Sequence, residues 1–170
     1  MRLTVKRISL LVPAPAMWYY GGRGGIGMSI LTSASGKSAW RGYEYYTERK
    51  VLSCVQTGPE EYEGEVAGTA AAPYHVKINT AHLRQSQCDC PRAKGTRIIC
   101  KHMVALYFTA FPQEAEEYIA EVEAYEAEDE RRREEHDKAL RAYIKGLTKQ
   151  ELREELYQAL VELEEYHRWS

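Results

Sequence analysis

Three of the four cysteines in this 170-residue chain and one of its five histidines fall within fifteen positions. These residues are Cys88, Cys90, Cys100 and His102, in the pattern C-x-C, nine residues, then C-x-H. Thiolates and imidazole in two close pairs joined by a loop can surround a tetrahedral zinc ion. A redox site would normally use C-x-x-C, and the low cysteine content argues against a disulfide scaffold. The pattern therefore predicts one zinc ion per chain, bound by these four side chains.

The spacing of the second ligand pair, Cys100 and His102, predicts where a helix begins. Residues two apart in a helix point about 200° apart, so Cys100 and His102 converge only in its first turn. An almost continuous apolar run follows from Met103 to Phe111, and Phe111-Pro112 interrupts it. We therefore expect a buried helix that begins at the second ligand pair and ends near Pro112.

Upstream of the ligands, apolar and β-branched residues predict one short helix and three strands. The helix covers residues 38–50, and the strands cover residues 51–56, 62–67 and 74–79, with short turns that favour antiparallel pairing. The fold class predicted is α+β: a small three-stranded antiparallel sheet with a zinc-stapled helix, followed by an α-helical C-terminal extension.

Glycine content and charge divide the chain into three regions. Five glycines lie within residues 21–27, which predicts a disordered Gly-rich N-terminal extension over residues 1–37. Residues 38–111 form the zinc-bearing domain, and residues 112–170 form an acidic helical extension. Residues 1–112 carry a net charge of +7 and residues 113–170 a net charge of −9. This asymmetry indicates two functional regions.

Within the extension, one helix is predicted over residues 113–145, with Gly146 as its C-cap. A capping box at Thr148–Glu151 opens a second helix. Its leucines form one apolar stripe, which is too short to claim a coiled coil and is expected to dock on the preceding helix as a helical hairpin. The stripe consists of Leu152, Leu156, Ala159, Leu160 and Leu163, and the expected docking residues are Leu140, Tyr143 and Ile144.

Residues 38–111 resemble the SWIM-type zinc finger, whose pattern is C-x-C, a variable loop, then C-x-H. The resemblance includes Arg41-Gly42-Tyr43, the strand from Val51, Gly68 with Tyr74-His75-Val76, and the run Cys100-Lys101-His102-Met103-Val104-Ala105-Leu106. It implies zinc on Cys88, Cys90, Cys100 and His102, and interaction with nucleic acid or protein. Members of this family occur beside helicase-like remodelling ATPases, transposases and ubiquitin ligases, and those catalytic parts have no counterpart in this sequence.

Five cations surround the predicted zinc site, against the single acid Asp89; they are Arg84, Arg92, Lys94, Arg97 and Lys101. Such a group of cations can contact DNA or RNA phosphates, or it can balance the charge of the zinc cluster. We therefore expect a non-catalytic interaction module. The alternatives are a purely structural protein adaptor, whose C-terminal helices recruit a partner, and, more remotely, a zinc enzyme. Neither the deaminase H-x-E nor the metalloprotease H-E-x-x-H motif is present.

Targeting signals are weak. No run of about 18 apolar residues occurs, so no membrane span is expected. An apolar run after Arg7 stops at Pro13 after five residues, short of a signal-peptide core. Met28 directly follows the glycine tract and is an alternative candidate for the first translated residue. The expected location is the cytoplasm, with no membrane association and no small-molecule substrate.

Overall fold

A computed structural model of the chain describes residues 29–168. The elements, in chain order, are α1 (Ile30–Ser33), α2 (Gly36–Thr47), β1 (Val51–Gly58), β2 (Glu61–Val66), β3 (Tyr74–Asn79), a 3-10 turn (Leu83–Gln85), β4 (Gln87–Cys88), α3 (Lys101–Ala110), α4 (Pro112–Gly146) and α5 (Lys149–Arg168). The predicted α+β class is confirmed. Among these residues, no helix combines the length and apolarity needed to cross a bilayer.

The sheet has four antiparallel strands in the order β1-β2-β3-β4. Three of them are the predicted strands, and the prediction missed the fourth. β4 is only two residues long, with Cys88 opposite Val76 and Gln87 opposite Lys77. A two-residue strand is too short to show the alternation from which strands are predicted. Its pairing with β3 matters because it holds the first zinc-ligand candidate against the sheet.

Helix α3 forms the centre of the core, as the apolar run predicts. Met103, Leu106 and Phe108 are at most 1 % exposed. Two glycines permit the close approach of neighbouring elements. A Cβ on Gly64 in β2 would lie 2.1 Å from a backbone oxygen of β1 and 2.8 Å from Leu106, and one on Gly42 in α2 would lie 2.5 Å from Val104. Both glycines therefore bring backbone against α3 at distances that a side chain would prevent.

The predicted N-terminal boundary at residue 38 is wrong within the described part of the chain. Residues 1–28 of the predicted extension lie outside the described residues. Residues 29–37 contain α1 and the start of α2, and Ile30 is 1 % exposed. Ser29 closes a capping box with Thr32, and the Ser35 side chain caps α2. Serine side chains stabilise helix starts, and here they cap two helices within residues for which the glycine content predicts disorder.

The chain folds into two compact units, with the boundary between Ile119 and Ala120. The sequence pattern predicts this boundary between residues 111 and 112. The first turns of α4 belong to the first unit because Ala115 and Tyr118 are buried there. The Tyr118 ring lies 5.3 Å from that of Phe108, centroid to centroid. Aromatic packing thus extends the first unit beyond Pro112, which interrupts the apolar run.

The second unit contains the rest of α4 and the whole of α5. Between Glu126 and Lys138 the sequence has almost no apolar residue, yet α4 is a continuous helix there. Ion pairs at i,i+3 and i,i+4 spacing run along it, from Glu128–Arg131 to Asp137–Arg141. Each exposed pair stabilises a helix by a few tenths of a kcal/mol, roughly 0.3–0.5, and successive pairs act together.

Helix α5 begins with the predicted capping box. The Glu151 carboxylate accepts from the Thr148 backbone N–H at 2.8 Å, and the Glu151 N–H donates to the Thr148 hydroxyl at 3.3 Å. The expected hairpin does not bury the apolar stripe, because no residue of α5 is buried. Near the junction, loss of hydration and the Glu155 carboxylate raise the pKa of the Tyr143 hydroxyl. Beyond this contact the leucines of α5 remain exposed.

Candidate metal centre

The four predicted ligands come together in the structure. Cys88 ends β4, Cys90 follows two residues later, Cys100 precedes α3 and His102 lies in its first turn. Their candidate ligand atoms all lie within 4.8 Å of one another, and all four residues are buried. Among residues 29–168 this is the one cluster of three or more such side chains that could hold a metal ion. The remaining described histidines lie outside it, as expected; they are His75, His82, His136 and His167.

The start of α3 explains how two residues with i,i+2 spacing can share one ion. Cys100 is the N-cap, with φ −93° and ψ 167°, so its backbone is extended and outside the helix. Its side chain makes no capping hydrogen bond. The thiol is therefore directed by an extended residue and the imidazole by the first helical turn, as the spacing predicts.

Interatomic distances test whether zinc fits. His102 Nδ1 lies 3.7 Å from Cys88 Sγ and 3.9 Å from Cys100 Sγ. Tetrahedral zinc, with Zn–S of about 2.3 Å and Zn–N of about 2.0–2.1 Å, would require S···N edges of about 3.6 Å. The observed edges are within a few tenths of an ångström of this value. The donor atoms therefore fit a zinc ion bound through Nδ1.

The opposite side of the imidazole is enclosed. His102 Nε2 is buried and has no hydrogen-bond partner among the described residues. The ring packs against Tyr74 at 4.7 Å and against Tyr45 at 5.5 Å, centroid to centroid. A Cβ on Gly68 would lie 2.3 Å from the Tyr74 ring and 3.4 Å from Nε2. Packing by two tyrosines, rather than a polar partner, thus orients the ligand.

These supporting residues were not predicted as part of the site. Tyr74 lies in a predicted strand and, with Gly68, belongs to the family resemblance, and Tyr45 lies more than forty residues before the first ligand. Residue type and spacing identify metal ligands because few side chains bind zinc. No such rule identifies an aromatic residue that packs on a ligand, so contacts this distant along the chain become visible only in the fold.

The pKa values of the three cysteine thiols show that a bound ion is needed to ionise all of them. Burial raises the pKa of Cys90. Cys88 and Cys100 hydrogen-bond to each other, which raises the pKa of Cys88 and lowers that of Cys100. Three buried thiols this close therefore do not all ionise on their own. A bound Zn²⁺ removes the protons from its thiol ligands, and with a neutral imidazole the cluster would carry a charge of −1.

The loop between the two ligand pairs is folded back on the first pair. The backbone N–H groups of Ala93 and Lys94 both donate to the Cys90 carbonyl, at 3.0 and 2.9 Å. Ala93 is 3 % exposed, and Gly95 has φ +72°, a left-handed conformation that favours glycine. The loop is therefore anchored in the core at Ala93 while its flanking residues are exposed.

The structure separates the five predicted contact residues into two kinds. Four are exposed, and no acidic group of the described chain lies within ion-pair distance of them; they are Arg84, Arg92, Lys94 and Arg97. Lys101 is partly buried, its Nζ lies 4.0 Å from the Tyr45 ring centroid, and it donates to the Tyr45 hydroxyl. Asp89, the one acid of the segment, accepts from the His75 backbone N–H.

A buried set of three cysteines and one histidine, shared between a sheet and a helix N-terminus, defines a structural zinc finger. Residues 74–111 match the family model of the SWIM zinc finger. The match spans β3, all four ligands and α3, which is less than a quarter of the chain. No curated protein and no solved structure matches the chain. The chain therefore carries a SWIM zinc finger, a type of domain that is generally a binding module, and its site binds a single zinc ion.

Proposed function

We propose that this chain is a non-catalytic interaction module whose zinc site holds a basic loop in position to contact nucleic-acid phosphates. The observation that carries this proposal is the exposure of Arg92, Lys94 and Arg97 on a loop fixed at both ends by zinc ligands. Cations held on an ordered loop lose little further conformational freedom when they bind phosphate. The absence of acidic partners within residues 29–168 leaves their charge available.

Balancing the charge of the zinc cluster explains only part of this cationic excess. Residues 84–102 carry five cations and one acid, a net charge of +4. The cluster itself contributes −1, which leaves +3. Lys101 is the best candidate for a balancing charge, since it follows Cys100 directly and packs on Tyr45 beside His102. The remaining exposed cations need another explanation, and phosphate binding supplies one.

The test is salt-dependent binding, measured by fluorescence anisotropy on labelled duplex DNA, single-stranded DNA and RNA. Four contacts, with Lys101 excluded, give a slope of log affinity against log salt of about −3.6 on duplex DNA. The same four contacts give about −2.8 on single strands. Because phosphate contacts carry no sequence information, base preference should be weak.

A triple substitution separates the loop from general charge effects. Arg92→Ala with Lys94→Ala and Arg97→Ala should abolish binding while zinc content stays at one equivalent. The matched control changes the net charge equally, by Arg131→Ala, Arg132→Ala and Arg133→Ala in α4, and should retain binding. Absence of binding by the unmodified chain at low salt, or equal losses in both triple variants, would contradict the proposal.

The runner-up function is a protein adaptor. It is favoured by the exposed leucines of α5, which resemble a partner-binding helix face, and by the acidic charge of residues 113–170, which would repel nucleic acid. The partner would be a protein, with a helicase-like ATPase system as the candidate from the family resemblance. For both functions we propose a cytoplasmic location, where cysteines stay reduced.

The non-catalytic character of the zinc site also has a direct test. Four protein ligands complete a tetrahedron and leave no position at which zinc could activate water. Cobalt substitution should therefore give a tetrahedral absorption spectrum that small anions such as azide or cyanate do not shift. An anion-dependent spectrum would indicate an open coordination position and favour the enzyme alternative.

A further inference from the structure

The turn that ends α2 holds an arginine in a backbone conformation that glycine adopts at lower cost. Arg49 has φ 54°, in the left-handed region, and no other residue except glycine has a positive φ among residues 29–168. In this region the Cβ of an L-residue crowds the following carbonyl oxygen, so glycine is the residue usually found at such helix ends. A strained residue that the turn itself does not require points to a role for its side chain.

The hydrogen bonds of this turn depend on the backbone alone. The Arg49 N–H donates to the Tyr46 carbonyl at 3.0 Å, and the Lys50 N–H donates to the Tyr45 carbonyl at 2.9 Å. These two bonds form the Schellman pattern that commonly ends a helix. The Lys50 side chain packs back on the helix, with its Nζ 4.4 Å from the Tyr45 ring centroid. The same turn would therefore form with glycine at position 49.

The charge of Arg49 is not neutralised by its surroundings. The side chain is exposed, and no acidic group of residues 29–168 lies within ion-pair distance of it. Its neighbour Lys50 pairs with Glu48. A cation at the C-terminal end of a helix offsets the helix dipole, but Lys50 already supplies one at this end. The guanidinium of Arg49 is therefore available to an anion.

Contacts through Tyr45 connect this turn to the zinc site and the basic loop. The Tyr45 ring lies 5.5 Å from the His102 ring, centroid to centroid. Lys50 Nζ and Lys101 Nζ pack on that same tyrosine ring, at 4.4 and 4.0 Å from its centroid. Lys101 follows Arg97 by four residues, a length of chain that spans at most about 14 Å. The turn after α2 and the basic loop therefore both border the first turn of α3.

We propose that Arg49 is a further phosphate contact, so that the nucleic-acid surface extends from the basic loop to the turn between α2 and β1. This inference rests on the nucleic-acid function proposed above. The planar guanidinium can donate two parallel hydrogen bonds to one phosphate, which glycine cannot replace. Phosphate binding thus explains why this position has a strained arginine: some stability of the fold is exchanged for binding.

Arg49→Gly tests the proposal because it relieves the strain and removes the charge together. The melting temperature of the first unit should rise by about 2–6 °C. The affinity for labelled duplex DNA at about 0.1 M salt should fall roughly eightfold, because one contact contributes about that factor between 1 M and 0.1 M salt. The slope of log affinity against log salt should change from about −4.5, for five contacts, to about −3.6, for four.

Two control variants separate the charge of Arg49 from its effect on the fold. Arg49→Lys keeps the charge and the left-handed strain, so it should keep both the slope of about −4.5 and the melting temperature of the unmodified chain. Arg133→Ala removes one exposed arginine from α4 and should change neither value. An unchanged slope in Arg49→Gly, a lower melting temperature in that variant, or loss of the fifth contact in Arg49→Lys would each overturn the proposal.

The substitutions in the basic loop distinguish this failure from failure of the proposed function. If the triple variant of Arg92, Lys94 and Arg97 loses binding while Arg49→Gly binds as the unmodified chain does, only the contribution of Arg49 is refuted. If the unmodified chain does not bind at low salt, both proposals are refuted. Zinc content of one equivalent in every variant confirms that the first unit remains folded.

Discussion

Replacing one zinc ligand, by Cys100→Ser, should unfold the first unit. Structural zinc contributes about 10–16 kcal/mol in small zinc-finger peptides, which averages about 2.5–4 kcal/mol for each of four ligands. Cys100 is 1 % exposed, so its serine hydroxyl would be buried among sulfur atoms at a further cost of about 1–3 kcal/mol. The total of about 3.5–7 kcal/mol is comparable with the whole stability of a small domain.

Cys54→Ser is the matched control, since it is the same chemical change in the same unit. Cys54 lies in the edge strand β1 at intermediate burial and outside the metal cluster, and burial raises its pKa, as expected for a thiol in apolar surroundings. Its replacement should cost about 1 kcal/mol. For a domain of this size, 1 kcal/mol shifts the melting temperature by roughly 4–8 °C.

The assay combines thermal unfolding with zinc analysis. The Cys100→Ser protein should melt more than about 15 °C below Cys54→Ser, and EDTA should destabilise only the latter. More than half of the helical residues lie after Ile119, so much of the far-ultraviolet circular dichroism should persist when the first unit unfolds. Equal melting temperatures of the two variants would refute the argument that zinc binding and folding are coupled.

Three further outcomes are expected. Gly42→Ala should destabilise the first unit by about 1–3 kcal/mol through overpacking against Val104, and Val104→Ala should restore part of the loss in denaturant unfolding. Gly68→Ala should weaken zinc retention against a chelator, since its methyl group would overlap the Tyr74 ring that packs on the histidine ligand. Burial, followed by the charge of Glu114, raises the pKa of Tyr107 to about 12. The stability that the protonated Tyr107 hydroxyl contributes is therefore present below pH 10 and is lost between about pH 10 and 12. Tyr107→Phe should reduce this loss of stability at alkaline pH.

The sequence predicted the zinc ligands because their chemistry is local and restrictive. Few side chains bind zinc, and the C-x-H spacing required an extended residue followed by a helical turn, which is the conformation found at Cys100. The three longer strands and the helix that begins at Lys101 were predictable for a related reason. Their apolar residues repeat with the period of the element to which they belong.

The errors occurred where tertiary contacts decide the structure. Nothing in the sequence of β4 distinguishes it from a loop, and it is a strand because Val76 and Lys77 offer free pairing groups. The compact unit extends to Ile119 because Tyr118 packs on Phe108, and this contact spans Pro112, where the sequence pattern predicts the boundary. The hairpin prediction paired two apolar faces that were near in sequence, and in the structure the stripe on α5 stays exposed.

The position of the ligands within α3 links the metal to the core of the first unit. Cys100 and His102 open the same helix whose next residues, Met103, Val104 and Ala105, are at most 1 % exposed. Zinc therefore fixes the first turn of α3. This is the end of the helix at which β4 and the tyrosines that pack on the imidazole also lie. Because a helix is costly to nucleate and inexpensive to extend, an ion that holds the first turn stabilises the buried run that follows. The same ion fixes the ends of the basic loop at Cys90 and Cys100. Loss of zinc should therefore disrupt the core and disorder the exposed cations in one step.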